Sequence, residues 1–447
     1  MKAENHPTAI LANLGIDALN EMQFAAQRMI VNKQNTILLS PTGSGKTLAF
    51  LFPVLQLLSE DVKTVQCLII APSRELALQI EQVWKKMKTK FKVNVCYGGH
   101  SIDTELNNLS NPPALLIGTP GRLTDHLARE SFDTSAIKVL VLDEFDKSLQ
   151  LGFQEDMNTI VSQLPNLEKR ILISATSDIE IPDFIGMVSP AILDYTQEEK
   201  DDNLSLQLVV SPEKDKIESL FQLICSFDSE PALIFCNHRE VAERISQLLN
   251  TKGIHSGYYH GGMDQDDRER ILIQFRNGSL NYLVTTDLAA RGLDIPEMKH
   301  VVHYHLPAKE SEFTHRNGRT ARMHASGTAY IVTYKEDKLP DYISSDTLDI
   351  LAIKANNPLP KRPEYQTIYI SGGKKNKLNK SDIVGFFLQK GKLDKNDLGL
   401  IEVKDSISFA AVRSSVVKTL LANIKDEKMK GKKYKIEVAR NVVKKED

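Results

Sequence analysis

Long apolar runs are missing from this 447-residue sequence: none approaches the roughly 18 residues that a membrane-spanning helix needs. The opening MKAENHPTAILANLGIDAL lacks a basic stretch followed by an apolar run ending in small residues, so no secretory leader is expected and the chain is expected to stay in the cytoplasm. Cysteine is scarce. Cys67, Cys96, Cys225 and Cys236 lie far apart without metal-ligand spacing, and three of them sit in strand-like apolar surroundings. That excludes a disulfide framework and reads as four reduced, buried thiols.

What is present is ordinary globular composition, 41% hydrophobic and 26% charged, over a length that suits two or three domains. The charge is uneven. From Glu364 onward there are 19 Lys/Arg against 11 Asp/Glu, a net of +8, so the preceding 363 residues carry −10 of the chain's −2. A basic tail on an acidic body fits a polyanion partner or, equally, a solvated charged face.

From residue 35, short β-rich runs (NTILL, QCLII, NVCY, ALLIG, VLVLDEF, RILISAT) alternate with amphipathic segments such as RELALQIEQVWKKM, a pattern that predicts a parallel sheet with crossover helices. After the acidic QEEKDDN it restarts with ALIFCN, SGYYH, NYLVTTD, HVVHYH and GTAYIVTY. A Pro-rich NNPLPKRPEYQ then precedes TIYIS, LGLIEV, SISFAAV and KYKIEVA around the helix candidate SSVVKTLLANIKD. The expected architecture is α/β: two tandem parallel-sheet domains over residues 1–200 and 204–350, a flexible tether over 351–364, and a small α+β module over 365–442.

SPTGSGKT, Ser40 to Thr47, follows a strand and opens a helix, as a phosphate loop does. Thr42, Gly43, Ser44 and Gly45 would offer backbone N–H groups to phosphates, Lys46 would neutralise terminal phosphates, and the Thr47 hydroxyl would bind Mg²⁺. Ser40 replaces the first Gly of the strict pattern with another compact residue. VLVLDEFD ends a strand in acids where a nucleotide-hydrolysing sheet needs them: Asp143 to hold metal and Glu144 to position water. HRNGRTAR sets Arg316, Arg319 and Arg322 at a three-residue period, expected on one helix face, as positive charge for a γ-phosphate.

These residues, with APSRELA (71–77), YGGH around Gly98 and Gly99, TPGR (119–122), SAT (174–176), HGGMDQDDRE (260–269) and TTDLAARGLDIP (285–296), resemble in content and order the DEAD-box family of superfamily 2 RNA helicases over residues 15 to about 335. The resemblance implies two RecA-like domains, the cofactors ATP and Mg²⁺, and RNA as partner. Pro72, Arg74, Gly99, Thr119, Gly121 and Arg122 would grip the RNA backbone from the first domain and Gln265, Arg268 and Thr286 from the second, with sugar contacts selecting RNA over DNA. Gln23 would read adenine, Asp294 would hold the ribose, and Arg319 and Arg322 would act on the γ-phosphate. Ser174, Thr176, Asp146 and His315 would couple the domains. Three departures stand out: Phe145 where the family name has Ala, implying local repacking with hydrolysis intact; Leu19 and Asn20 where Pro and Thr are usual before Gln23, implying looser adenine selection; and Asn317, which leaves every arginine in place.

The segment from about Gln366 to Arg440 resembles the C-terminal RNA-binding domain of DbpA-type bacterial DEAD-box proteins, which is RRM-like. Tyr369 or Phe409 would stack bases or lie in the core, and Lys374, Lys375, Lys377, Lys432, Lys433 and Lys435 would bind phosphates. The combined expectation is a monomeric RNA-dependent ATPase that locally unwinds structured RNA, ribosomal RNA during large-subunit assembly being the leading target. Alternatives are an ATP-dependent RNA clamp and a helicase of mRNA decay or cold shock.

Overall fold

The computed structural model describes residues 7–41, 43–99, 101–176, 180–196, 204–287, 295, 298–320, 326–344, 348–353 and 357–439. The chain divides into two compact units, one up to residue 202 and one from residue 203 onward, each taken here by itself.

In the first unit, β1 (Asn35–Leu39), β2 (Cys67–Ile70), β3 (Val93–Cys96), β4 (Leu115–Gly118), β5 (Val139–Leu142), β6 (Lys169–Ser174) and β7 (Ala191–Asp194) form one parallel sheet in the order β3-β4-β2-β5-β6-β1-β7. β2, β4 and β5 bury every residue, as strands of a sheet covered on both faces must. Successive side chains serve opposite cores. Leu38, Ile69, Ile117, Val141 and Ile173 pack on one face, while Ile37, Leu39, Ile70, Leu116 and Leu142 pack on the other. Helix Arg74–Met87 covers the first face with Leu76, Ala77, Ile80, Trp84 and Met87, three to four residues apart. Ser73 caps it by accepting from the Leu76 N–H, and the Trp84 indole donates to the Phe91 carbonyl at 3.1 Å.

In the second unit, β8 (Leu204–Ser211), β9 (Ala232–Phe235), β10 (Ser256–Tyr259), β11 (Tyr282–Thr285), β12 (His300–His303), β13 (Gly327–Tyr334) and β14 (Asp349–Ile350) make a second parallel sheet in the order β10-β11-β9-β12-β13-β8-β14. The same unit holds an antiparallel sheet of β15 (Tyr365–Ile370), β16 (Leu398–Val403), β17 (Ser408–Arg413) and β18 (Ile436–Val438), ordered β16-β17-β15-β18. Helices Lys380–Gln389 and Val417–Ile424 cover one of its faces, giving the split βαββαβ arrangement of an RRM.

The other face of this small sheet is not open. Phe409 and Ala439 meet the fully buried Ile273 of helix Gln265–Arg276, flanked by Tyr369 and Ile407. The Gln274 amide donates to the Ala439 carbonyl at 3.0 Å, the Ser279 and Thr367 hydroxyls are 2.8 Å apart, and Arg276 pairs with Glu402 at 2.7 Å. Near the Pro-rich stretch, Leu351 and Ile353 pack against the second sheet's core, and the Lys361 N–H donates to the Ser229 hydroxyl at 2.9 Å.

Three histidines on β12 and just beyond it, His300 at its start, His303 at its end and His305 two residues past it, give the second unit an acid sensitivity. Burial pushes His300 and His305 down to about 4 and His303 to about 3. Between the ordinary value of 6.5 and about 4, the unfolded chain takes up protons that the folded chain refuses, so stability is full above 6.5 and is lost as pH falls. Urea midpoints are expected to drop steadily on going from pH about 7 to about 4.5, and His300→Gln is expected to flatten that slope.

Candidate active site

β1 runs straight into the glycine-rich loop, and its neighbour β6 is in register with it to the last residue, Leu39 opposite Ser174. The Ser40 N–H then donates to the Ser174 carbonyl at 3.0 Å. β5 lies on the other side of β6, so the strand ends carrying SPTGSGKT, SAT and DEFD are consecutive along the sheet's carboxyl edge. That edge is where open α/β sheets bind ligands.

The loop's shape depends on glycine. Gly43 and Gly45 adopt φ of 90° and 89°, and a Cβ on Gly45 would come within 2.4 Å of the Gln23 amide nitrogen. Gly45 caps helix Lys46–Leu57, whose free N–H groups and positive dipole end suit a phosphate. The Lys46 ammonium donates to the Ser40 and Pro41 carbonyls at 2.6 and 2.9 Å, and Ser44 bridges the loop by donating to the Pro41 carbonyl. Thr47 sits half-buried in the first helical turn. Gln23 donates to the Gly45 carbonyl at 3.2 Å and forms a capping box with Asn20, which itself donates to the Ser44 carbonyl at 3.1 Å. Thr42, Asp294 and Arg322 lie outside the described residues.

Burial, with the Glu144 carboxylate beside it, pushes Asp143 up to about 7 against the opposing pull of Lys46. An oxygen donor pair of Asp143 and Thr47 suits a hard cation such as Mg²⁺, whose charge would return Asp143 to its ionised form. Glu144 stands in the left-handed region at φ 45°, a strained backbone of the kind found at functional sites, and its N–H donates to Asp143 at 2.9 Å. Phe145 is fully buried in the core that holds Leu142 and Leu172, so the bulky departure between the acids packs inward. Asp146 is also buried, and the Ser174 hydroxyl accepts from the Thr176 N–H at 3.1 Å.

The other half of this edge, β2, β4 and β3, carries the predicted RNA-gripping residues. Pro72 and Arg74 follow β2, Gly99 follows β3, and Thr119, Gly121 and Arg122 follow β4. Arg74 lies over the Tyr97 ring at 4.4 Å, and a Cβ on Gly99 would sit 3.4 Å from its guanidinium. Gly98, Thr119, Gly121 and Arg122 line a cleft of about 570 Å³.

The second sheet repeats the division. Gln265 and Arg268 open the helix after β10, Thr286 follows β11, and the Thr285 hydroxyl donates to the Tyr259 and Thr286 carbonyls at 2.8 and 3.1 Å. His315 and Arg319 follow β12, both buried. The expectation of arginines along one helix face is corrected: the helix Glu310–Asn317 ends before Arg319. Arg316 is fully buried, bidentate on Asp287 at 2.6 and 3.1 Å and donating to Asn237 and the His305 carbonyl. These bonds brace the fold around it.

The tail also departs from expectation. Tyr369 and Phe409 meet edge to face at 5.8 Å on the sheet surface covered by helix Gln265–Arg276, so they neither stack bases nor lie in the small domain's own core. Lys374, Lys375, Lys377, Lys432, Lys433 and Lys435 are exposed, and paired bonds between Ser371 and Lys435 bring both lysine runs to one rim.

Sequence reasoning missed Glu105. It accepts from the Tyr97 N–H at 2.9 Å and from the half-buried Arg122 at 3.3 Å, and meets His126 Nε2 at 2.7 Å, with Glu105 and His126 buried beside Cys96. The available signal was position: Glu105 stands four residues before Leu109 on the buried stripe of helix Ile102–Leu109. Glu105→Ala is expected to cost about 3–5 kcal/mol in denaturant unfolding, because it leaves Arg122 and His126 without their shared acceptor, and Glu105→Gln less. Gly45→Ala is expected to lower ATP hydrolysis by about tenfold or more with the fold intact, read by steady-state kinetics and circular dichroism.

Family comparisons agree with this geometry. Residues 20–184 match the DEAD/DEAH box helicase family, residues 215–324 the helicase conserved C-terminal domain, and residues 367–438 the DbpA RNA binding domain. The chain is 31% identical to the ATP-dependent RNA helicase DbpA of Escherichia coli strain K12, covering 96% of this chain and 97% of that one. It is 28% identical to the DbpA of Bacillus subtilis strain 168, covering 96% of each. It resembles the structure of S. cerevisiae Dbp5 bound to RNA and ADP BeF3 with a TM-score of 0.66 at 27% identity, over 74% of this chain and 88% of that one. With its nucleotide loop, acid pair and arginine-bearing second sheet in place ahead of a matching tail, the chain belongs to the DEAD-box family of ATP-dependent RNA helicases, of the DbpA type.

Proposed function

We propose that this ATP-dependent RNA helicase remodels ribosomal RNA during assembly of the large ribosomal subunit, acting as a cytoplasmic monomer with Mg²⁺. The observation that carries the reading is the C-terminal module: residues 367–438 match the DbpA RNA binding domain, and the lysine rim gives it a cationic surface suited to a structured RNA backbone. In this reading domain limits fall at 1–200, 204–350 and 365–442, and the tail brings the helicase to its target.

Lys46 and the loop N–H groups hold the phosphates, Thr47 and Asp143 hold the cation, and Glu144 orients the attacking water. The cation, when bound, neutralises charge on the terminal phosphates. Arg319 adds positive charge where the γ-phosphate loses its bond. Ser174, hydrogen-bonded through its carbonyl to Ser40, passes the state of the loop along the sheet edge toward the RNA-gripping residues. Arg74, Thr119, Gly121 and Arg122 hold the sugar–phosphate backbone, with Gln265, Arg268 and Thr286 in the same role on the second sheet; such contacts position RNA without reading its sequence.

The test is RNA-stimulated ATP hydrolysis with ribosomal RNA and with an unrelated single strand, for the whole chain and for a version ending near Pro360. Preferential stimulation by ribosomal RNA, lost on truncation, is expected. Equal stimulation by both RNAs, unaltered by truncation, would leave a general RNA helicase.

A further inference from the structure

Helix Gln265–Arg276 has two different neighbours at its two ends. Its first turn carries Gln265 and Arg268, and its last turns carry Ile273, Gln274 and Arg276, which seat the antiparallel sheet of the C-terminal module. Gln274 lies nine residues along the helix from Gln265, about 14 Å at 1.5 Å per residue. The face it seats against is the one that an RRM ordinarily leaves open for bases.

Polar bonds fix one register across this seam. The Thr367 hydroxyl, buried in the middle of β15, meets Ser279 at 2.8 Å and Asn277 at 3.4 Å, while the Gln274 amide finds the Ala439 carbonyl past the end of β18. A one-residue slip along β15 would turn Thr367 to the opposite face of the sheet and present Ile368 instead. At the margin, Arg276 pairs with Glu402, and Lys404 approaches Glu269 at 4.0 Å.

We propose that helix Gln265–Arg276 is a strut that holds RNA captured by the lysine rim of the C-terminal module at one fixed offset from Gln265 and Arg268. This rests on the reading that the rim and those two residues contact RNA. The substrate class that follows is a structured RNA in which the anchored element and the strand to be opened lie a set distance apart, because a docked module cannot search.

The test uses the full chain with Ser279→Cys and Thr367→Cys, whose parent hydroxyls are close enough to place a disulfide. The four native cysteines are buried and do not compete. The bond is expected to form on mild oxidation of the native protein. The oxidised form is expected to keep ATP hydrolysis stimulated by structured ribosomal RNA within about twofold of the reduced form. Failure of the bond to form, or a loss of about tenfold that returns on reduction, overturns the strut, the latter by showing the docked state to be idle. A second variant, Ile273→Glu, is expected to retain binding of structured RNA and hydrolysis with saturating single strand while losing the preference for structured RNA; retention of that preference also overturns it. Truncation near Pro360 separates the two ideas: if it leaves the preference intact, the tail does not target RNA and the strut falls with that reading, whatever the disulfide does.

Discussion

Parallel pairing of β1 with β6, kept in register to the last residue, is the constraint on which the nucleotide-binding edge depends. It places the Ser40 N–H on the Ser174 carbonyl, so the phosphate loop leaves the sheet from a point shared with the SAT segment. Because β5 lies on the other side of β6, Asp143 and Glu144 emerge one strand further along. Beyond β5, the strand ends of β2, β4 and β3 are left for the residues around the cleft at Thr119 and Arg122. The phosphate loop and acid pair thus share one edge with the residues around that cleft, and short strands, four residues long in β2, β4 and β5, keep the two groups close.

Charge in this edge is placed where burial makes it costly. Asp143 is raised because water is excluded around it and Glu144 stands beside it, an arrangement that favours a cation partner. Glu105 is treated differently, since its carboxylate receives a backbone N–H and the Arg122 guanidinium and closes on His126. The first acid is left wanting a counter-charge that a ligand can bring; the second is already spent on holding Arg122 in place.

The strands and the motif positions were legible because their signals are local: unbroken apolar runs ending in Gly, Thr or acid, each at the carboxyl end where a parallel sheet binds ligands. Other features needed partners distant in sequence. Whether Tyr369 and Phe409 faced solvent or core could not be read from β15 and β17 alone, because the surface covering them belongs to a helix roughly ninety residues earlier, as the Ser279–Thr367 separation of 88 shows. The arginines of HRNGRTAR looked equivalent at a three-residue period, yet Asn317 and Gly318, both poor helix formers, end the helix between them. Arg316 falls inside and Arg319 beyond. Glu105 was invisible because an acid on an apolar helical stripe reads as a lapse in amphipathicity until its partners on a neighbouring helix are known.

Gln23 and Asn20 do more than cap a helix. Each sends a side-chain amide to a carbonyl of the phosphate loop, across 22 residues from Gln23 to Gly45 and 24 from Asn20 to Ser44, while their reciprocal bonds close the first turn of helix Glu21–Asn32. The start of that helix is thereby stitched to the loop at two points, so the first helical turn and the loop cannot shift independently without breaking one of these bonds.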